Sequence, residues 1–194
     1  MAFRESVVRI RRFTQVGSGT FVAPDLVLTA GHVLEAGGRD PKCMEFNVVH
    51  PATMKTWRVT GIRADARWRL GSDPSADVGL LRVVGPAVPV LGIGTFDGGM
   101  VTRYGIPANP NDPLGASATG MTVVDSGFVF SDDADMQIPQ GASGGPLLDG
   151  RFALVGIGTG LGVPGLHGNP IGIPIGATVP SNLLSDPNSL IDGQ

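Results

Sequence analysis

Turn-forming residues cut this chain into short pieces, and that constrains its fold more than any other feature. The 194 residues include 30 glycines and 16 prolines, and both residue types disrupt the interior of a helix. Between the turns lie short segments rich in β-branched residues: SVVRI, GTFVAP, LVLTA, EFNVVH, TWRVTGI and DVGLLRVV. Such side chains suit a pleated surface better than a helix, so each segment reads as a strand. A Pro/Gly-rich crossing follows over residues 86–98, and then a second set appears: MVTRYGIP, MTVVDSGFVF, FALVGIGTG and IGIPIGATV. Six segments, a crossing and at least four more predict two halves of similar design. Short antiparallel strands at this spacing close into barrels, which hide their edges. The expected class is all-β, with one barrel over residues 1–85, a second over 99–184 and a tail or linker at 185–194. Helical patterning is confined to AGHVLEAGG and VPSNLLSDP.

Charge and cysteine usage narrow the function classes. Charged residues make up 16% and the net charge is −3. RIRR, Arg9 to Arg12, is the one basic cluster and reads as a solvated strand end, so nucleic acid is not an expected partner. Cys43 stands alone, which removes any internal disulfide and any thiolate metal cluster and points to a reducing, cytoplasmic setting. The opening MAFRESVVRIRR places charges where a signal peptide needs an apolar stretch. No run approaches the roughly 18 apolar residues of a membrane helix, so no membrane partner is expected. Neither a metal nor a cofactor is implied.

Three places carry chemistry: His32 in VLTAGHVL, Asp77 in SADVGLL and Ser143 in QGASGGPLLDG. A serine hydroxyl is a weak nucleophile at neutral pH and needs a base within hydrogen-bond reach. Histidine can take and return a proton near neutrality, and a buried carboxylate fixes its tautomer. Each residue alone has a plainer reading, as a surface histidine, a turn-capping acid or a turn serine. His50 and His167 lie in VVHPAT and GLHGNP, which read as loops. Asp65 and Asp73 are rival acids within the polar stretch RADARWRLGSDPS, whereas Asp77 leads straight into an apolar strand.

The sequence resembles the trypsin-like serine endopeptidases of the chymotrypsin fold, in particular their bacterial HtrA/Deg-like branch. GSGTFVAPDLVLTAGHVL resembles the strand–turn–strand that leads to the TAxH histidine of that superfamily. SADVGLLRV is similar to its acid-bearing segment, QGASGGPLLDG to its nucleophile loop, and ALVGIGTG and PIGIPIGATVPSNLL to its closing strands. The resemblance implies two antiparallel six-stranded β-barrels with the active site in the cleft between them. It implies His32 as general base, Asp77 as its orienting acid and Ser143 as nucleophile. The backbone N–H groups of Gly141 and Ser143 would form the oxyanion hole, and Gly156 to Gly158 would offer an edge to an extended protein or peptide substrate. The expected activity is endoproteolysis through an acyl-enzyme intermediate.

Departures from the family pattern also matter. Ala142 stands where trypsin-type enzymes carry an aspartate that pairs with a freshly cut N-terminus. Gly156 stands where many members have a serine that helps hold the acid. No PDZ-like segment follows within the sequence, so PDZ-linked regulation is not expected; an additional regulatory domain or partner is. The side-chain pocket would be walled by MQIPQGA and GIGTGLG, with Gln137, Ala142, Gly156, Ile157, Gly158 and Thr159 as substrate-binding candidates. With no aspartate at the pocket base, small or medium uncharged side chains are the expected preference.

Three other readings compete. The five residues from Gly141 also satisfy the G-x-S-x-G elbow of α/β-hydrolases, but too little helical chain follows to supply that fold's acid and histidine. A catalytically silent barrel pair serving as a binding or scaffold module is the second. The third concerns context: an effector domain of a larger bacterial signalling or defence protein.

Overall fold

A computed structural model describes residues 2–35, 42–71, 73–85, 88–108, 116–131, 140–159, 170–176, 182–183, 185 and 190–191. The first barrel is built from β1 (Val7–Arg12), β2 (Gln15–Ala23), β3 (Leu26–Thr29), β4 (Phe46–Val49), β5 (Thr56–Ala64) and β6 (Gly79–Val84). They run in the order β5-β4-β1-β2-β3-β6, and pairing of β5 with β6 closes the ring. The second barrel comprises β7 (Gly98–Gly105), β8 (Ala116–Asp125), β9 (Phe128–Phe130), β10 (Pro146–Leu148), β11 (Leu154–Gly158) and β12 (Pro170–Pro174). It closes in the order β10-β11-β12-β9-β8-β7. All pairings within both barrels are antiparallel. This is the chymotrypsin fold that the segment pattern and the resemblance predict. Two short helices, α1 (Gly31–Glu35) and α2 (Ala66–Gly71), sit in the connections of the first barrel.

The burial pattern explains why these strands lack simple polar–apolar alternation. Val7 joins an apolar cluster shared by the two barrels, while Val8 and Ile10 fill the interior of the first. Leu28 and Leu80 likewise face the shared cluster, and their neighbours Val27 and Leu81 face the barrel interior. Successive side chains point to opposite faces of a strand, so strands at the junction bury both. Val101, Val129, Leu147, Val155 and Ile171 form the interior of the second barrel. The crossing stitches the halves together: Leu91 N–H donates to the Phe21 carbonyl at 2.9 Å, and Gly94 N–H to the Leu154 carbonyl at 2.8 Å.

The structure corrects three expectations. MTVVDSGFVF is two strands, because Ser126 and Gly127 have φ of 49° and 82°, the positive values of a tight two-residue hairpin turn. RIRR is not a solvated end: Arg9 and Arg12 are 5% and 4% exposed. Arg9 Nη2 donates to the Pro107 carbonyl at 3.1 Å, and Arg12 Nη2 pairs with Glu45 Oε2 at 2.7 Å. The stretch assigned as a tail contains β13 (Leu190–Ile191), which pairs antiparallel with Arg63 and Ile62 of β5. That segment therefore returns to the first barrel.

His50 lies in the turn between β4 and β5, as its sequence context suggests, and is 8% exposed. Its Nδ1 accepts from the Thr53 N–H at 3.2 Å. Burial holds its pKa below the ordinary 6.5, with Lys55 adding to and Glu5 opposing that shift. The unfolded chain therefore takes up a proton more readily than the folded one. Its contribution to stability is full above the unfolded value and falls as pH drops below it. Substituting His50→Asn, which keeps an acceptor for Thr53, should flatten the fall in Tm between about pH 7 and pH 5. Parallel Tm–pH profiles for parent and variant would contradict this.

Candidate active site

Strand β3 ends at Thr29 and delivers the chain into α1, whose second residue is His32. The partner acid comes from another connection. A 3₁₀ turn, Pro74–Ala76, is capped by the Asp73 side chain, which accepts from Ser75 N–H at 3.0 Å, and Asp77 follows it just before β6. Asp77 is fully buried. One of its oxygens accepts from the His32 backbone N–H at 2.7 Å, and the other meets His32 Nδ1 at 2.7 Å. An ionised carboxylate only accepts, so Nδ1 carries the proton and Nε2 is left as the basic nitrogen. The His32 side chain is 25% exposed, against 0% for Asp77, which gives a desolvated acid behind an accessible imidazole. Asp65 is bound to Arg67 at 3.1 Å and Asp73 is spent on its cap, so neither rival acid competes.

The serine loop is shaped by two glycines in the left-handed region. Gly141 has φ of 95° and Gly144 of 83°, values that cost an L side chain dearly. A side chain would also collide: at Gly141 with the Ala108 backbone, at Gly144 with Thr29 Oγ1 and the Ser18 carbonyl. Gly144 thus lies directly on Thr29 and Ala30, the residues that lead to His32. The Ser143 hydroxyl makes no hydrogen bond to His32 among the described residues; such bonds often tighten only when substrate binds.

Orientation of the loop amides follows from one further contact. Ala108 N–H donates to the Gln140 carbonyl at 2.8 Å. In a planar trans peptide the carbonyl and the following N–H point in opposite directions. The Gly141 N–H therefore points away from Ala108.

Ser18 of β2 locks this arrangement to the first barrel. It is fully buried, and all its polar groups are engaged. Its N–H donates to the Ser143 carbonyl at 2.7 Å, and its carbonyl accepts from Thr29 Oγ1 at 2.6 Å. Its hydroxyl donates to the Gly141 carbonyl at 2.9 Å and accepts from Ile106 N–H at 2.8 Å. Sequence reasoning passed over Ser18 and Thr29; the available signal was a small polar residue set between two glycines, Gly17 and Gly19, within a strand. It also missed Trp68 of α2, which lies against the Gly31 backbone and meets the His32 ring edge-on at 6.4 Å. That stretch reads as polar in sequence, and only the helix turns its one indole toward the histidine.

Among the pocket candidates the picture changes. Gln137 falls outside the described residues. Ala142 is fully buried, packed on Gly105, so its methyl fills the interior and cannot line a pocket. Gly156 to Gly158 are not a free edge: β11 pairs with β10 on one side and β12 on the other. Nor does Gly156 face the acid, since a side chain there would meet Leu147 and the Ile173 carbonyl. Thr159 is the first residue past β11, with its N–H donating to the Ile171 carbonyl at 3.2 Å.

Two closed antiparallel barrels, the first carrying a histidine paired with a buried acid, define the architecture of a chymotrypsin-type peptidase. The chain belongs to the trypsin-like peptidase domain family, whose model matches residues 17–157. It is 28% identical over 187 residues to a probable periplasmic serine endoprotease, DegP-like, of Chlamydia pneumoniae, covering 91% of this chain and 33% of that protein. The chain spans a third or less of the length of the curated relatives it matches, at 33%, 29% and 20%. Among solved structures it resembles a Glu endopeptidase, with a TM-score of 0.75 at 16% identity over 95% of this chain and 90% of that one. It also resembles an inactivated protease paralogue of the scabies mite, with a TM-score of 0.74 at 15% identity over 93% of each chain. The fold is therefore shared by proteins with and without activity.

Replacing Ser18 with Ala strands the Ile106 N–H and the Gly141 carbonyl in the interior. A buried polar group left unsatisfied costs about 1–3 kcal/mol. Urea unfolding of Ser18→Ala should show a loss of that size at unchanged m-value. An unaltered midpoint would show that the lock contributes nothing.

Proposed function

We propose that the chain is a serine endopeptidase acting through His32, Asp77 and Ser143. The observation that carries this reading is the pair of 2.7 Å contacts from His32 to one buried carboxylate. They orient the imidazole with Nε2 as its base, and Gly144 of the serine loop packs on Thr29 and Ala30, which lead to that histidine. Ser143 Oγ attacks the scissile carbonyl while His32 Nε2 takes the hydroxyl proton. The C–N bond then breaks, with the same proton passing to the departing amine, and an acyl-enzyme ester remains on Ser143. Water repeats the sequence: His32 accepts its proton, hydroxide adds to the ester, and Ser143 leaves with the proton returned.

The oxyanion formed in each half has two donors in this reading, the N–H groups of Gly141 and Ser143. The Gly141 direction set through Ala108 and Gln140 supports it, because donors held in place need no reorganisation as charge develops. Asp77 stays ionised and stabilises the imidazolium, as buried triad acids do. Trp68 limits water around the imidazole on its flank.

A fluorophosphonate probe should label the folded protein at Ser143, and Ser143→Ala should abolish both labelling and cleavage of a casein substrate. His32→Ala should lower kcat by about ten-thousand-fold or more with little change in Tm. Well-folded protein that neither takes the probe nor cleaves would instead mark the barrel pair as a binding or scaffold module.

A further inference from the structure

Asp77 is short of donors. It is fully buried, and among the described residues its carboxylate accepts two hydrogen bonds, both from His32. Oδ1 takes the backbone N–H and Oδ2 takes Nδ1–H. An ionised carboxylate offers about four lone-pair sites, and in a dry interior its charge is held by the donors that fill them. The position to which the family resemblance assigns a supporting serine is Gly156, which packs on Leu147 and the Ile173 carbonyl and does not face the acid. Charged groups of the acid's own connection are engaged elsewhere: Arg67 pairs with Asp65, and Asp73 caps the turn ahead of Asp77.

A spare donor lies beside it. Trp68 belongs to α2, in the same connection, and its indole rests on the backbone of Gly31. Trp68 Nε1 is 2.9 Å from the point where a side chain on Gly31 would begin, and Asp77 Oδ1 is 3.1 Å from that same point. The glycine is what lets both approach, since a methyl there would meet the indole Cδ1 at 2.6 Å. The Trp68 Nε1–H is sealed from solvent and meets no acceptor among the described residues. A buried N–H without an acceptor is rare, and each one calls for an explanation. Here an unspent donor and an under-used acceptor flank one point above Gly31. The same indole meets the His32 ring edge-on at 6.4 Å, so it borders both members of the pair.

We propose that Trp68 is a positioning residue for the acid: its indole N–H serves the open lone pair of Asp77 Oδ1, directly or across a single water. The carboxylate plane against which His32 is oriented is thereby fixed from a second side. A bridging water gives up little relative to a direct bond. This rests on the endopeptidase reading. Trp68 takes no part in proton transfer and acts on the reaction through Asp77 and His32 alone. Packing on Gly31 needs only the ring, whereas positioning needs the N–H, and that difference makes the role separable.

Trp68→Phe keeps an aromatic ring on α2 and removes the N–H. It should lower kcat by about 10-fold, the worth of one hydrogen bond to a charged group, with KM little changed. The acid limb of the kcat/KM–pH profile should also move up by about half a unit, because a carboxylate with one donor fewer attracts a proton on His32 more strongly. A ring that merely fills space would move neither. The contact itself is read without catalysis, from the indole N–H signals of the intact protein in nitrogen–proton correlated NMR. The chain has 2 tryptophans, and the signal lost in Trp68→Phe identifies Trp68. In Asp77→Asn that signal should move upfield as its acceptor loses charge.

Fluorophosphonate labelling of the parent separates the two layers. Protein that takes the probe, yet keeps the parent's kcat and pH profile in Trp68→Phe, overturns the positioning role alone. An indole signal indifferent to Asp77→Asn does the same. Parent protein that neither takes the probe nor cleaves overturns the endopeptidase reading, and the positioning role with it.

Discussion

The hydroxyl of Ser18, sealed from solvent in the first barrel, donates to the carbonyl of Gly141 in the second and accepts from Ile106 N–H. Nearly everything of chemical interest hangs on that junction. The same residue holds the Ser143 carbonyl through its own N–H and is itself held by Thr29, two residues before the helix that bears His32. In the proposed mechanism base and nucleophile come from different barrels, and an error of an ångström between them would cost orders of magnitude in rate. A shared apolar cluster brings the barrels together but is tolerant of small slides. Buried hydrogen bonds are directional and costly to leave unmade, so they fix the relative register that apolar packing leaves loose.

The glycines around Ser143 follow from this junction. Gly144 must lie flat on Thr29 and Ser18, and Gly141 must turn where only a residue without a side chain passes easily. Ala142, where trypsin-type relatives carry an aspartate, is packed on Gly105 with no exposure. The loop's shape is thus secured by Ser18 on one side and by the Ala108–Gln140 contact on the other. A loop held from both barrels has no need of a charge pair at position 142 to take this form.

Much of this was legible in the residues, and the reasons for the exceptions are physical. The β-branched segments and the turns between them set out ten pieces that cover eleven of the twelve barrel strands because strand formers and breakers act locally; the hairpin at Ser126 was hidden because serine rarely takes a positive φ, and β10 because its three residues, Pro146–Leu148, are too short to carry a pattern. His32, Asp77 and Ser143 were singled out because the proposed chemistry demands those residue types in recognisable surroundings, and the first two meet in the structure. Ser18 and Trp68 were missed because their roles exist only in contacts across the chain. Arg9 and Arg12 misled for the same reason: a cluster of arginines looks solvated until the partners Pro107 and Glu45, far away in sequence, come into view. The expected free edge at Gly156 to Gly158 failed because glycine richness marks close backbone approach, here to two neighbouring strands, as readily as it marks an open edge.

The serine loop is held through Ser18 and Ala108, and in the proposed mechanism this is its catalytic shape. The most direct measurement is a crystal structure of the protein with a peptide boronic acid bonded to Ser143 Oγ. The boron should be tetrahedral, with one oxygen about 3 Å from both the Gly141 and Ser143 nitrogens. The Gln140 carbonyl should still be bound to Ala108 N–H, and the Gly141 carbonyl to Ser18. A boronate oxygen turned to solvent, or a Gln140–Gly141 peptide that must flip away from Ala108 to receive it, would contradict the claim.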